Sequence, residues 1–435
     1  MSALLHAKAT VLLTTILTVS VPIEYETNLP PDGNGTMDSV AIWVAPNPQE
    51  SLIFFTDKTE NYLELHNPVT NEYVGRIGGG GTGEGELEYP NGVAVVYGVE
   101  TGQGVRDVAF AVERDNARIS AFALPEREFI GHIGAGVVEE PYGIAEYWKD
   151  GKLQIWITDN EGSEDRVFVF DVFPTGNGIG GELDFQFFTD GSLESIIIDP
   201  VWERVYLSDE GDTKNIMVYD LKGEFVERIG DGLFNHDPEG MVLYDLGGGE
   251  GYLIATDQEA SPTEYEVFDR KTNEWLGNFT GETTGTDGIA LTQKPLPNLP
   301  QGSFYAVNSD RTVHAYDWSR IAAAMNLGIN TNPVVSVEEN EPPKGFQLAQ
   351  NYPNPFNPST KIRFVLPQAS HVKLTIFDAL GRTVRTMIES QMSAGEHEIS
   401  WNGRDAFNRQ VASGVYIYEA RSGNNIQRRK MILAR

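Results

Sequence analysis

The 435-residue sequence contains no cysteine. That excludes disulfides, zinc sites built on thiolates, thiol nucleophiles and cysteine-based phosphatase chemistry. Histidine is scarce too: the 7 residues include no HExxH and no RHGxRxP, against a zincin or a histidine acid phosphatase, and His236 beside Asp237 reads as a loop histidine. Long apolar runs are missing, the best being Val11–Val19, well short of a membrane span. No Gly-Lys-Ser/Thr follows the glycine run Gly78–Gly85, so that run reads as a connector and not as a phosphate loop. Helical patterning is confined to Ser319–Asn326, ahead of a stop at Gly328, where a packing element closing the domain is expected.

Positive charge is short in one part only. Of 32 Lys+Arg and 63 Asp+Glu, residues 344–435 hold 13 and 6, so the first 343 hold 19 and 57, a charge of −38 against +7. So acidic a surface repels nucleic acid and anionic membranes, and suits divalent cations. Lys8 followed by the Val11–Val19 run resembles an export signal over residues 1–20, with a buried N-terminal strand as the alternative.

What the acidic part has is a repeat. A strand ending in a polar cluster recurs six times, at Leu52–Asp57, Val108–Glu113, Leu153–Asp159, Val205–Asp209, Tyr252–Asp257 and Ser303–Asn308. Ahead of each lies a strand opened by a polar residue and a small one: Asp38-Ser39, Asn91-Gly92, Tyr142-Gly143, Glu194-Ser195, Glu239-Gly240 and Asp287-Gly288, at intervals of 53, 51, 52, 45 and 48. Units of that length, rich in Val, Ile, Phe and Tyr, fit four-stranded blades. The expectation is an all-β chain with a six-bladed β-propeller over residues 25–328.

In a propeller, equivalent positions share one ring, so the six strand openers should converge at a channel mouth. Four are carboxylates: Asp38, Glu194, Glu239 and Asp287. Unless they are ordinary turn residues, they need a cation between them, and Ca²⁺ accepts six to eight oxygen ligands without His or Cys.

Residues Asp38–Val44, Thr56–Lys58, Pro141–Gly143, Asn160–Gly162, Asp237–Gly240, Gly251–Gln258, Thr286–Ile289 and Trp318–Ala322 together resemble the calcium-dependent β-propeller phytases of the 3-phytase kind. The resemblance implies several calcium ions at the mouth and release of phosphate from phytate, or a related phosphate ester, by activated water. Carried over by position, it implies Asp38, Glu161, Glu194, Asp237, Glu239 and Asp287 as calcium- or water-holding groups, with Glu161, Asp237 and Glu239 as the catalytic set. Lys58 and Arg114 would bind phosphate, with Tyr142 as a further substrate contact. Four positions depart from the family pattern: Ser39, Ala94, Asn160 and Gly285. A rival resemblance, Ile77–Ala94 echoed at Ile133–Gly136 and Pro141–Ala145, is to the NHL repeat, which implies a noncatalytic calcium-binding propeller acting as an exported binding module.

Residues 329–345 read as a linker from their Pro, Asn and charge content. Residues 346–435 alternate like a small β-sandwich, with strands expected at Lys361–Leu366, Val372–Phe377, Glu398–Trp401, Gly414–Tyr418 and Arg428–Leu433. Asn351–Pro358, Asp378–Arg382, Trp401–Asp405 and Ser413–Tyr416 resemble the type IX secretion sorting domain. That implies the secretion machinery as a partner and a secreted or cell-surface monomer exported through the periplasm.

Overall fold

Each repeat folds as one antiparallel sheet, because its β-branched and aromatic residues alternate between two buried faces. The computed structural model describes residues 18–30, 35–160, 165–211, 213–258 and 262–330, and, in the tail, 346–348, 351, 354, 356–366, 370–378, 381–392, 395–407, 409–422 and 425–434. The chain divides into Met1–Ser336 and Val337–Arg435.

In the first unit, four blades are complete four-stranded sheets in chain order: Met37–Trp43 to Tyr73–Gly78, Pro90–Thr101 to Glu128–Ile133, Pro141–Lys149 to Gly178–Phe188, and Leu193–Asp199 to Phe225–Ile229. Blade 5 runs from Pro238–Gly247 to Trp275–Thr280 and gains an extra strand, Val19–Ser20, parallel to its outer edge. Blade 6 contributes Ile289–Thr292, Ser303–Asn308 and Thr312–Asp317, and its fourth strand comes from the N-terminal side, Tyr25–Glu26. This is a six-bladed propeller closed by its first strands.

Six hydrophobic clusters among the described residues occupy the six interfaces between neighbouring blades. Phe54, Phe110, Leu207 and Phe304 are fully buried in them, and burying each such side chain contributes about 1.5–3 kcal/mol. The helix Trp318–Met325 is capped by Asp317, whose side chain accepts the Ser319 N–H, and it stacks Trp318 on Tyr244 with ring centroids 3.9 Å apart. It ends at Asn326, in the left-handed conformation, two residues before the expected glycine.

Three boundaries move. Residues 1–17 lie outside the described residues, but Val19 and Ser20, assigned above to the export signal, form a strand, and Val21 is buried. The propeller therefore begins before residue 25. At the other end, Ile329 packs against the blade 5 and 6 core, and the Asn330 N–H donates to the Tyr244 hydroxyl at 2.9 Å, so these two residues belong to the propeller and not to a linker.

The tail is a sandwich around its own core of Phe364, Leu374, Trp401 and Tyr418. One sheet pairs Gln347–Leu348, Thr360–Leu366 and Gly395–Trp401; the other orders Thr383–Met392, Ser370–Asp378, Gly414–Ser422 and Asn425–Leu433. The strand Thr383–Met392 was not foreseen, because Arg385, Thr386, Glu389 and Ser390 leave it without a clean apolar alternation.

The closure of blade 6 is testable. Besides its ladder, the N-terminal segment ties in through Glu24 N–H to Ala315 O, Thr27 N–H to Val313 O and Thr312 Oγ1 to Glu26 Oε1. Removing residues up to Asn28 should lower the melting temperature by roughly 10 °C, since each hydrogen bond contributes about 1 kcal/mol and each kcal/mol about 2–4 °C. An unchanged transition in differential scanning calorimetry would contradict the closure.

Candidate active site

The mouth is built by a device repeated in every blade. The polar residue closing the second strand, Asp57, Glu113, Asp159, Asp209 or Asp257, is buried. Each accepts backbone N–H groups from the loop that launches its own inner strand: Thr36, Glu88, Glu139 and Glu140, Ser192, and Asn235 and His236 respectively. Asn308 does the same for Thr284 in blade 6. These carboxylates are latches: they satisfy loop donors that burial would otherwise orphan.

Hydroxyls then join the blades. Thr56 accepts the Ser39 N–H at 2.9 Å and donates to Asn91 O at 2.9 Å, and Thr158 accepts the Gly143 N–H and donates to Glu194 O. The small residue after each strand opener reflects close packing: a Cβ on Gly143 would sit 2.6 Å from Glu194 O, and one on Gly288 2.4 Å from Asp38 O. With inner strands this close, Asp38, Tyr142, Glu194 and Asp287 line one funnel above a channel cavity of about 170 Å³.

The funnel is electrically divided. Blades 4 to 6 supply Glu194, Glu210, Glu239 and Asp287, joined by Asp38 of blade 1. Oxygens of Glu194, Glu210 and Glu239 all lie within 4.8 Å of one another. Burial first, and then mutual repulsion, raises Glu194 well above the carboxylate range and raises Glu239 too; Asp287 is pushed up to about 7 by burial, with Asp38 and Asp310 adding to it. Asp38 is raised by burial against the opposing pull of Lys58.

Blades 1 to 3 supply the positive arc. The Lys58 ammonium pairs with Asp38 and donates to the Tyr142 hydroxyl at 3.1 Å. Burial opposes its charge, yet Asp38, Glu194 and Asp287 together raise its pKa. Arg114 lies 3.6 Å over the Tyr89 ring and pairs with Asp115 at 2.9 Å. The Tyr142 phenol is pushed up by burial and by Asp38, Glu194 and Glu239.

The six ring openers therefore do not all behave alike. Asp38, Tyr142, Glu194, Glu239 and Asp287 converge, whereas Asn91 is fully buried, with neither side-chain amide atom partnered among the described residues. Glu161 lies outside the described residues. Asp237 is beside the acidic arc, paired with Lys214 at 3.1 Å. At the departures, Ser39 is held by Thr56, Ala94 pairs in register with Phe110, the Asn160 amide donates to Leu193 O, and Gly285 takes a left-handed φ of +52°.

Residues the sequence reading passed over include Glu210, Gln258 and Asp310. Gln258 donates to Asp287, and Asp310 faces it. Their signal was available: Lys58, Arg114, Glu210 and Gln258 each follow directly on a latch residue. Glu146 lines the channel cavity together with Ile144, Ile197, Met241 and Ile289, and its place within the channel pushes its carboxyl up to about 7.

The donor set fits a hard divalent cation: three carboxylates in reach of one point, and no imidazole among them.

The Phytase family model matches residues 3–312, and the FlgD Ig-like domain model matches residues 355–425. A 3-phytase of Bacillus subtilis (strain 168) is 24% identical over 311 residues, covering 66% of this chain and 78% of that protein. Among solved structures, the Kuenenia stuttgartiensis hydrazine synthase aligns with a TM-score of 0.42 at 13% identity, over 67% of this chain and 97% of that one. The Dos1 propeller aligns with a TM-score of 0.39 at 13% identity, over 65% and 68%. Neither structural likeness bears on what this chain does.

The raised carboxylates make a signed prediction for the cation-free protein. A carboxylate whose folded pKa exceeds its unfolded one favours the fold below the unfolded pKa and loses that contribution as pH rises through the folded value. Glu239→Gln removes one such group, so without divalent ions the variant should match wild type near pH 4 and melt a few degrees higher by pH 8. Millimolar calcium should reverse the order. Equal melting curves at both pH values would contradict the crowding of charge.

Proposed function

The chain belongs to the phytase family, and from that membership we propose that it is a secreted, calcium-dependent phosphomonoester hydrolase acting on phytate or a closely related phosphate ester. The observation that carries the reading is the divided funnel, which sets a cationic arc for phosphate against an acidic arc for metal. A substrate of many negative charges approaches a protein of net charge −31 only where the local potential is inverted.

Glu194, Glu210 and Glu239 would hold calcium, joined by Asp38 and Asp287 from the flanking strands. Bound there, calcium lowers the pKa of a coordinated water and offsets charge developing on phosphorus. Lys58 and Arg114 bind phosphate oxygens, and Tyr142, whose raised pKa keeps its hydroxyl protonated, donates a hydrogen bond. Asp237 and Glu239, on one Asp-Pro-Glu-Gly loop, orient the attacking water opposite the leaving alcohol, with Glu161 as the third member of that set.

The tail's role is delivery. Its Asn351–Pro358 run and the three motifs that follow support passage through a type IX secretion system, with the propeller acting as a monomer outside the cell.

Phosphate release from calcium phytate near neutral pH tests the reading. Wild type should be active, a chelator should abolish the activity, and Glu239→Gln should lose about 100-fold or more. Wild type and variant equally inert while both bind calcium would leave a noncatalytic binding propeller instead.

A further inference from the structure

Tyr89 stands out in the backbone of the mouth. It is not glycine, yet its φ is +48°, a left-handed region that strains a bulky side chain. Pro90 follows it, which by itself pushes the preceding residue toward extended conformations. The strain is held from both sides. The Tyr89 N–H donates to Asn61 Oδ1 at 2.8 Å, its carbonyl accepts the Arg114 N–H at 3.1 Å, and Asn61, also left-handed with φ +65°, is fixed by Glu88 at 3.1 Å.

The ring presented this way lies within reach of both cations of the positive arc. The Arg114 guanidinium is 3.6 Å from its centroid and the Lys58 ammonium 5.9 Å, while that ammonium is also 5.3 Å from the Tyr142 centroid. Arg114 and Lys58 thus share the Tyr89 ring, and Lys58 has Tyr142 as a second aromatic neighbour. Arg114 is a third exposed and Asp115, its carboxylate partner among the described residues, is more exposed still, so the Tyr89 ring is the less solvent-screened of its two restraints.

We infer that Tyr89 is a positioning residue for substrate phosphate: its strained backbone aims a ring that holds Arg114 near Lys58, so that two cations face the substrate at a fixed spacing. This rests on the phosphatase reading above. The contact is with the cations and not with the reacting atoms, so the effect belongs to binding.

Three variants of the full chain separate this from a structural role. Tyr89→Phe keeps the ring and should keep KM within about twofold. Tyr89→Gly removes the ring and relieves the left-handed strain, so its melting temperature should be equal to wild type or higher while KM for phytate rises about 5- to 10-fold at nearly unchanged kcat. Arg114→Gln should raise KM by a similar factor, and the double variant Tyr89→Gly/Arg114→Gln should be no worse than either single one, because both remove the same contact. An unchanged KM in Tyr89→Gly, a KM rise that comes with a lower melting temperature, or additive losses in the double variant would each overturn the inference. Calorimetric binding of phytate to the calcium-loaded protein distinguishes the failures. If wild type hydrolyses and binds phytate but Tyr89→Gly does both equally well, only the role of Tyr89 falls; if wild type does neither, the phosphatase reading falls with it.

Discussion

Five carboxylates, Asp38, Glu194, Glu210, Glu239 and Asp287, share one funnel whose only buried ammonium is that of Lys58 among the described residues. At separations of this order like charges repel by several kcal/mol unless solvent, protons or a cation intervene. The rest of the propeller is arranged so that the fold withstands this repulsion. Six hydrophobic interfaces between the blades supply cohesion, and the strand Tyr25–Glu26 closes the ring at the outer edge of blade 6. A site crowded with like charge in this way is one that a bound divalent cation would stabilise.

Two kinds of acidic residue are interleaved here, a single position apart. Asp57, Asp159, Asp209 and Asp257 are buried and spend their lone pairs on backbone N–H groups. Glu210, one residue after Asp209, faces its fellow carboxylates. The first kind gives the loops their shape, which in turn places the second. Replacing a latch would therefore disturb the site without touching any ligand. The inter-blade hydroxyls act likewise: Ser195 Oγ donates to Glu239 O at 2.5 Å and so couples blade 4 to the loop that presents Glu239.

The repeat period, the blade count and the converging strand openers were legible in the sequence because they depend on hydrophobic alternation and on register, both written locally. The division of the ring was not. Asp38, Glu194, Glu239 and Asp287 read as carboxylates spread around a circle, yet blades 4, 5, 6 and 1 are neighbours once the ring closes, so the four form one arc. Tyr142, on blade 3, falls outside that arc for the same reason, while Lys58, on blade 1, pairs with Asp38 at its edge. Asn91 looked equivalent to its counterparts, but it turned into the protein and lies buried. Tyr89 gave no signal at all, since a left-handed tyrosine before proline is what local preference argues against. The N-terminal strand Tyr25–Glu26 escaped notice, and a strand near Val19 entered only as the alternative to an export signal, because two residues carry no periodicity and their partners lie more than 250 residues away.

The measurement that bears most directly on the account is a crystal structure of the propeller grown with calcium, read by anomalous diffraction. The account predicts a calcium peak bounded by Glu194, Glu210 and Glu239, with carboxylate oxygens at about 2.3–2.6 Å, and Lys58 still on Asp38. A calcium-saturated crystal with no peak between those three glutamates, or with the Lys214 or Lys58 ammonium drawn in among them in its place, would contradict it.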